Sequence, residues 1–158
     1  MNNLISHAQV TRECGNRGLS PADSLRRVLH HLTLWVPDLE RARDSWTLLL
    51  GELGYQTDET AMGILLFRTA GGASLAMEQS PDMVPGMLYS RFRPGLNHLA
   101  FAVDDEQRLE AIATGAAAHG WSRLPIDTHP IAGGAEVAYL EDGDGFEVEI
   151  VAPTPSLQ

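Results

Sequence analysis

An internal repeat constrains this chain more than any other feature. His31-Leu32-Thr33-Leu34-Trp35-Val36-Pro37-Asp38 and His98-Leu99-Ala100-Phe101-Ala102-Val103-Asp104-Asp105 share the pattern H-L-x-L/F-x-V-x-D at an offset of 67 residues. Self-similarity over that distance means one supersecondary unit used twice. In both copies helical periodicity follows: Leu39, Ala42, Trp46, Leu49 and Leu50 after Asp38 as N-cap, then Leu109, Ile112, Ala113 and Ala116 after Asp104 or Asp105. Gly51 and Gly120 are the expected helix stops.

Short strand-like runs complete each copy, around Gly54 to Asp58, Ile64 to Arg68 and Ala73 to Glu78, then Ser122 to Pro125, Glu136 to Leu140 and Phe146 to Val151. Gly71-Gly72 and Gly143-Asp144-Gly145 read as the turns before the last strand of each half. The expected organisation is α+β. It comprises an extension over 1–27 with a short helix starting at Ser20-Pro21, a βαβββ module over 28–79, a linker or active-site loop over 80–94, a second βαβββ module over 95–153, and a tail over 154–158.

Strand side chains alternate between two faces, so parity sorts them. Leu32, Leu34 and Val36, with Leu99, Phe101, Val103, Phe146, Val148 and Ile150, form an apolar face that should pack on the helices. The opposite parity carries His31, Thr33 and Trp35, then His98, Ala100 and Ala102, then Glu147, Glu149 and Val151. Two imidazoles at the same register of two modules, with a carboxylate from the last strand, are a donor set for a divalent transition ion that leaves positions open to substrate, oxygen or water. Single strand histidines are more often structural; their recurrence on the non-core face points to a metal.

Other chemistry is excluded by composition. All eleven basic residues are arginine, so no lysine exists for a Schiff base or a P-loop. Cys14 is the only cysteine, which removes internal disulfides and thiolate zinc clusters and favours a reducing, cytoplasmic setting. With a formal charge of −10, phosphate backbones and anionic lipid surfaces are poor partners. A secretory leader and an apolar run long enough to span a bilayer are not expected. Motifs for serine hydrolases, metalloproteases of the H-E-x-x-H type and dinucleotide binding are missing.

The segments Leu29-His30-His31-Leu32 with Val36-Pro37-Asp38-Leu39-Glu40-Arg41, Gly95-Leu96-Asn97-His98-Leu99-Ala100-Phe101, and Tyr139-Leu140-Glu141-Asp142-Gly143-Asp144-Gly145-Phe146-Glu147-Val148-Glu149-Ile150 resemble the vicinal oxygen chelate superfamily. Its members include glyoxalase I, extradiol dioxygenases, fosfomycin-resistance enzymes and bleomycin-binding proteins. The resemblance runs from about Leu29 to Pro153. It implies two tandem βαβββ modules forming an eight-stranded open barrel around a metal, with His31, His98 and Glu149 on ligand positions and His30 structural. Glyoxalase I has a second glutamate where matching Gly72 to Gly145 places Ala76; Glu78, two residues on, could substitute only through a bulge or altered register.

Three ligands imply a dioxygenase-like metalloenzyme, with Fe2+ ahead of Mn2+, Ni2+ or Zn2+, acting on a small substrate with vicinal oxygens. The alternatives are a glyoxalase-like isomerase or lyase with Glu78 in the site, and a non-enzymatic drug- or metabolite-binding protein. The resemblance also implies a homodimer with sites built within or across chains. Around this centre, His129 is a candidate proton donor or an ordinary loop histidine. Trp35, Tyr55 and Tyr139 are candidate pocket walls or core aromatics, and Arg91 and Arg93 are candidate anchors for a substrate carboxylate or phosphate.

Overall fold

In the computed structural model, residues 29–70, 73–125 and 135–153 are described. The expected N-terminal helix, the Gly71-Gly72 turn and His129 lie outside them. The element order is β1 (His31–Trp35), α1 (Leu39–Glu52), β2 (Gln56–Glu59), β3 (Leu65–Arg68), β4 (Ser74–Glu78), β5 (His98–Ala102), α2 (Glu106–Ala116) with a 3-10 turn over Ala117–His119, β6 (Ser122–Leu124), β7 (Glu136–Glu141) and β8 (Glu147–Ala152). Both halves are therefore βαβββ, and residues 79–97 between them form turns without helix or strand.

Both helices start and stop by the same devices. The Asp38 and Asp105 side chains accept the backbone N–H groups of Arg41 and Arg108, satisfying first-turn donors. The stops differ from expectation in one case. Gly51 lies inside α1, and Gly54, at φ +82, takes the left-handed position. Tyr55 N–H then bonds the Leu50 carbonyl and Gly54 N–H that of Gly51, a Schellman arrangement that glycine enters without a Cβ clash. Gly120, at φ +85, does the same, with Trp121 N–H on the Ala116 carbonyl.

The strands form two separate four-stranded sheets, ordered β1-β4-β3-β2 and β5-β8-β7-β6, with the outer pair of each parallel. Among the described residues no strand of one sheet hydrogen-bonds to the other, so strand pairing does not build the expected eight-stranded barrel within the chain. The reason lies in what the apolar faces bury. Leu34, Val36, Leu75 and Met77 of the first half share one core with Ala138, Leu140, Phe146, Val148 and Ile150 of the second, and both helices contribute to it.

Trp46 and Trp121, both buried, meet edge to face at 5.0 Å between the halves. Trp121 Nε1 donates to the Ser45 carbonyl at 3.1 Å and Trp46 Nε1 to Asp142 Oδ2 at 2.9 Å. Burial of two large indoles, each with its polar N–H satisfied, holds the modules together. No helix among the described residues is long and apolar enough to cross a membrane.

Candidate functional site

Sheet parity is as the sequence implies: residues of β1 and β5 alternate between the shared core and a second face. On that second face of module two, β8 brings two carboxylates beside β5. Ala100 pairs with Glu149 and His98 with Glu147, while Tyr139 of β7 lies across from Glu149. Glu147 and Glu149 are only 2% and 5% exposed, an arrangement that buried carboxylates tolerate only with partners.

The partners of Glu149 are explicit. His98 Nε2 stands 3.2 Å from Glu149 Oε2, and the Tyr139 hydroxyl donates to Oε1 at 3.0 Å. Burial first, then the bond to Glu149 and the charges of Glu149 and Glu147, push the Tyr139 phenol up to about 12; it remains a donor throughout the neutral range. Glu147 is answered from the inter-module loop: Arg91 Nε lies 3.0 Å from its Oε2, and the Arg91 guanidinium also pairs with Glu141. Glu147 Oε1 is 4.0 Å from His98 Nδ1.

The loop itself is tied to this cluster. Tyr89 stacks on Phe146 at 4.0 Å, and its hydroxyl donates to the carbonyls of Leu96 at 2.7 Å and Asn97 at 3.0 Å. Burial, followed by the Glu147 charge, pushes that phenol up. Asn97 Nδ2 donates to the Arg91 carbonyl at 3.1 Å, and Asn97 Oδ1 lies 2.8 Å from His98 Nδ1.

Module one is arranged differently. His31 Nδ1 sits 2.8 Å from His30 Nδ1 at the exposed start of β1, so the expected structural neighbour is a direct partner. Among the described residues no group of three or more His, Cys, Asp or Glu side chains converges as a metal site. His31 thus does not join His98 and Glu149 within one chain. The reason is the docking: the modules share their helices and apolar faces, and their second faces stay on separate sheets. Pairing of β1 with β4 is continuous, with Thr33 against Ala76 and Trp35 against Glu78, so Glu78 lies one same-face position beyond Ala76 with no bulge to shift it.

The remaining candidates fall in three places. Trp35, 46% exposed, and Arg93 line an open cleft of about 320 Å3 with Thr33, Leu88, Tyr89 and Phe146; Arg93 also donates to the Leu88 carbonyl. Arg91 and Tyr139 belong to the His98 cluster. Tyr55 packs edge-on against Phe101 at the margin of the core and does not reach that cluster. Sequence reading missed Asn97, Glu141 and the burial of Glu147 by Arg91. Only Asn97 carried a signal, as the residue before the repeated histidine.

Residues 30–139 match the family model of the Glyoxalase/Bleomycin resistance protein/Dioxygenase superfamily. The chain belongs to that superfamily. It is 35% identical over 129 residues, 80% of this chain and 99% of the other, to the "Uncharacterized protein YqjT" of Bacillus subtilis (strain 168). Among solved structures it is similar to a protein of Bacillus halodurans described as a candidate glyoxalase, at 31% identity and a TM-score of 0.72, covering 82% of this chain and 98% of that one. A glyoxalase/bleomycin resistance protein of Albidiferax ferrireducens T118 matches at 20% identity and a TM-score of 0.63, covering 80% and 98%. A glyoxalase/dioxygenase of Nostoc punctiforme matches at 24% and 0.58, covering 89% and 99%. These last two likenesses speak for the superfamily fold.

Proposed function

We propose that this superfamily member is a metal-dependent enzyme acting on a small organic substrate with vicinal oxygens, its divalent ion held by His98 and Glu149 of one copy and His31 of a second copy in a homodimer. The observation that carries the reading is the 3.2 Å approach of His98 Nε2 to Glu149 Oε2. Donor atoms about 2.1 Å from one ion and near a right angle stand about 3 Å apart, so the pair fits two neighbouring ligands. The Tyr139 hydroxyl occupies the other carboxylate oxygen, which orients Glu149 as supporting hydrogen bonds do in metal sites.

Dimerisation supplies what the single chain leaves separate. His31 lies on an open face of module one, and the neighbouring Trp35 with Val84, Met87, Leu88 and Phe92 of the inter-module loop are large, exposed apolar side chains of the kind buried at interfaces. When bound, the ion would polarise the vicinal oxygens as a Lewis acid and, as Fe2+, add one-electron chemistry. The chain's own part is to hold a carboxylate and an imidazole in register, keep the Tyr139 hydroxyl donating to Glu149, and close the Glu147 side with Arg91. Trp35 and Arg93 offer an apolar wall and a cation for an anionic part of the substrate. A donor set of two histidines and one carboxylate favours dioxygenase-like over isomerase or lyase chemistry.

The cleft beside Trp35 favours one second reading, sequestration of a small drug or metabolite without turnover, because Trp35, Leu88, Tyr89 and Phe146 line it and none of His31, His98 and Glu149 does. Elemental analysis after anaerobic Fe2+ loading separates the two. The expected result is about one ion per chain in the wild type, lost in His98→Ala, Glu149→Ala and His31→Ala, with part of the occupancy restored when His31→Ala and His98→Ala chains are mixed and refolded together. Full metal retained in His98→Ala overturns the assignment. No metal in the wild type, with ligand binding indifferent to chelator, establishes sequestration.

A further inference from the structure

We infer that the cleft beside Trp35 is a binding site for a small aromatic monocarboxylate, held by Arg93 and filled independently of any metal. The first observation is a pairing that Arg93 lacks. Seven arginines stand among the described residues, and Arg41, Arg43, Arg68, Arg91, Arg108 and Arg123 each pair with a carboxylate. Among those residues Arg93 pairs with none: its guanidinium meets only the neutral carbonyl of Leu88, at 3.1 Å. In a chain with 21 acidic and 11 basic residues carboxylates are plentiful, yet this cation is left to line the cleft.

The cation is fixed before any ligand arrives. Arg93 N–H donates to the Ser90 carbonyl at 3.1 Å and Phe92 N–H to the Ser90 hydroxyl at 3.3 Å, which closes the turn that carries Arg93. With one Nη on Leu88, the guanidinium keeps further N–H donors in the planar fork that matches a carboxylate. Thr33, on the same face of β1 as Trp35, also lines the cleft, and its hydroxyl has no partner among the described residues. It is a second donor for the same anion.

The rest of the lining selects the body of the ligand. Trp35 and Leu88 are exposed apolar surfaces, and Tyr89 is held rigid, stacked on Phe146 with its hydroxyl engaged by the Leu96 and Asn97 carbonyls. A ring laid against them gains aromatic contact, and a cleft of about 320 Å3 holds a ligand at the small end of the usual range. One cation within a chain of formal charge −10 suits a single negative charge better than a phosphate dianion. None of the proposed metal ligands lines the cleft, so the inference goes beyond the metal centre proposed above and does not rest on it.

The test is calorimetric titration of the full chain with phenylacetate, its neutral isostere phenylacetamide and the dianion phenyl phosphate, first with chelator and then with Mn2+. Phenylacetate should bind saturably, about tenfold or more tighter than either other probe, as a charge-assisted hydrogen bond implies, and chelator should not change its affinity. Arg93→Leu should abolish the preference for phenylacetate over phenylacetamide. Arg93→Lys, which keeps the charge and loses the fork, should retain part of it, and Trp35→Ala should weaken both probes alike. Wild type that binds no phenylacetate, or binds the amide as tightly, overturns the inference without any variant; a second copy seated in the cleft would give that result. Tighter binding of phenyl phosphate overturns the monoanion assignment. Binding that survives Arg93→Leu and vanishes in His98→Ala or with chelator places the carboxylate on the ion, which overturns the inference and upholds the metal reading. Binding that survives His98→Ala and loses its charge preference in Arg93→Leu supports the inference, and does so even in protein that holds no metal, where the proposed enzyme function alone fails.

Discussion

The two modules share their register and differ in what fills it. Tyr139 opposite Glu149 in module two corresponds, strand for strand, to Leu66 opposite Ala76 in module one. Glu147 opposite His98 corresponds to Ser74 opposite His31. Ile64, Leu66 and Ala76 form a small buried apolar cluster of their own, where module two holds a phenol on a carboxylate. Each copy has kept its histidine, but only the second has the carboxylate, the hydroxyl that steadies it and an arginine over its neighbour. The duplicated scaffold therefore provides position, and the chemistry resides in what each copy places there.

The sharpest way to break the comparison is Ala76→Glu, which installs the missing carboxylate. Ala76 is fully buried beside Leu66, so the variant should lose about 4 kcal/mol of stability from an unpartnered buried charge. Adding Leu66→Tyr should recover part of that loss by rebuilding the Tyr139–Glu149 pair. Urea denaturation of both variants decides it, and a double variant no more stable than the single one contradicts the correspondence. Next, Arg91→Ala should cost about 3 kcal/mol, because Glu147 is left buried without its cation. It should also raise proteolytic cleavage within residues 79–97; an unchanged digestion rate would deny the loop its tether.

Tyr139→Phe should cost about 1 kcal/mol for one hydrogen bond and weaken metal binding about tenfold. The corresponding change in module one, Leu66→Phe, has no hydrogen bond to lose and should leave metal binding alone. The smallest effect is on pH. Because the folded pKa of Tyr139 is raised, the stability it contributes is fully present below the ordinary tyrosine value of 10.0 and disappears as the pH climbs through about 12. A phenolate titration of wild type against Tyr139→Phe checks this, and ionisation near the ordinary value would deny the buried contact with Glu149.

Features governed by local period were legible in the sequence. The repeat, the Asp38 and Asp105 caps, the core parity and the placement of His98 and Glu149 on one face follow from spacing alone. Features governed by side-chain shape at long range were not. The separation of the sheets depends on the core that their apolar faces share, and the place of Tyr55 at the core margin depends on its meeting with Phe101. The α1 stop was misplaced by three residues because Gly51 and Gly54 are equivalent as letters, and only tertiary packing extends the helix to the second. The burial of Glu147 depends on an arginine that approaches from a loop with no periodicity to read.

The tryptophan distribution makes the molecule its own spectroscopic instrument. Trp35 is half exposed at the far end of the strand that begins with the repeat histidine of module one, whereas Trp46 and Trp121 are buried in mutual contact. An aqueous quencher should therefore extinguish the Trp35 emission first, and association of a second copy over that face should shield it. Exciton coupling in the near-ultraviolet circular dichroism should come from the buried pair. Assembly and melting can thus be followed separately in the unlabelled protein, one through an accessible indole and the other through two that touch.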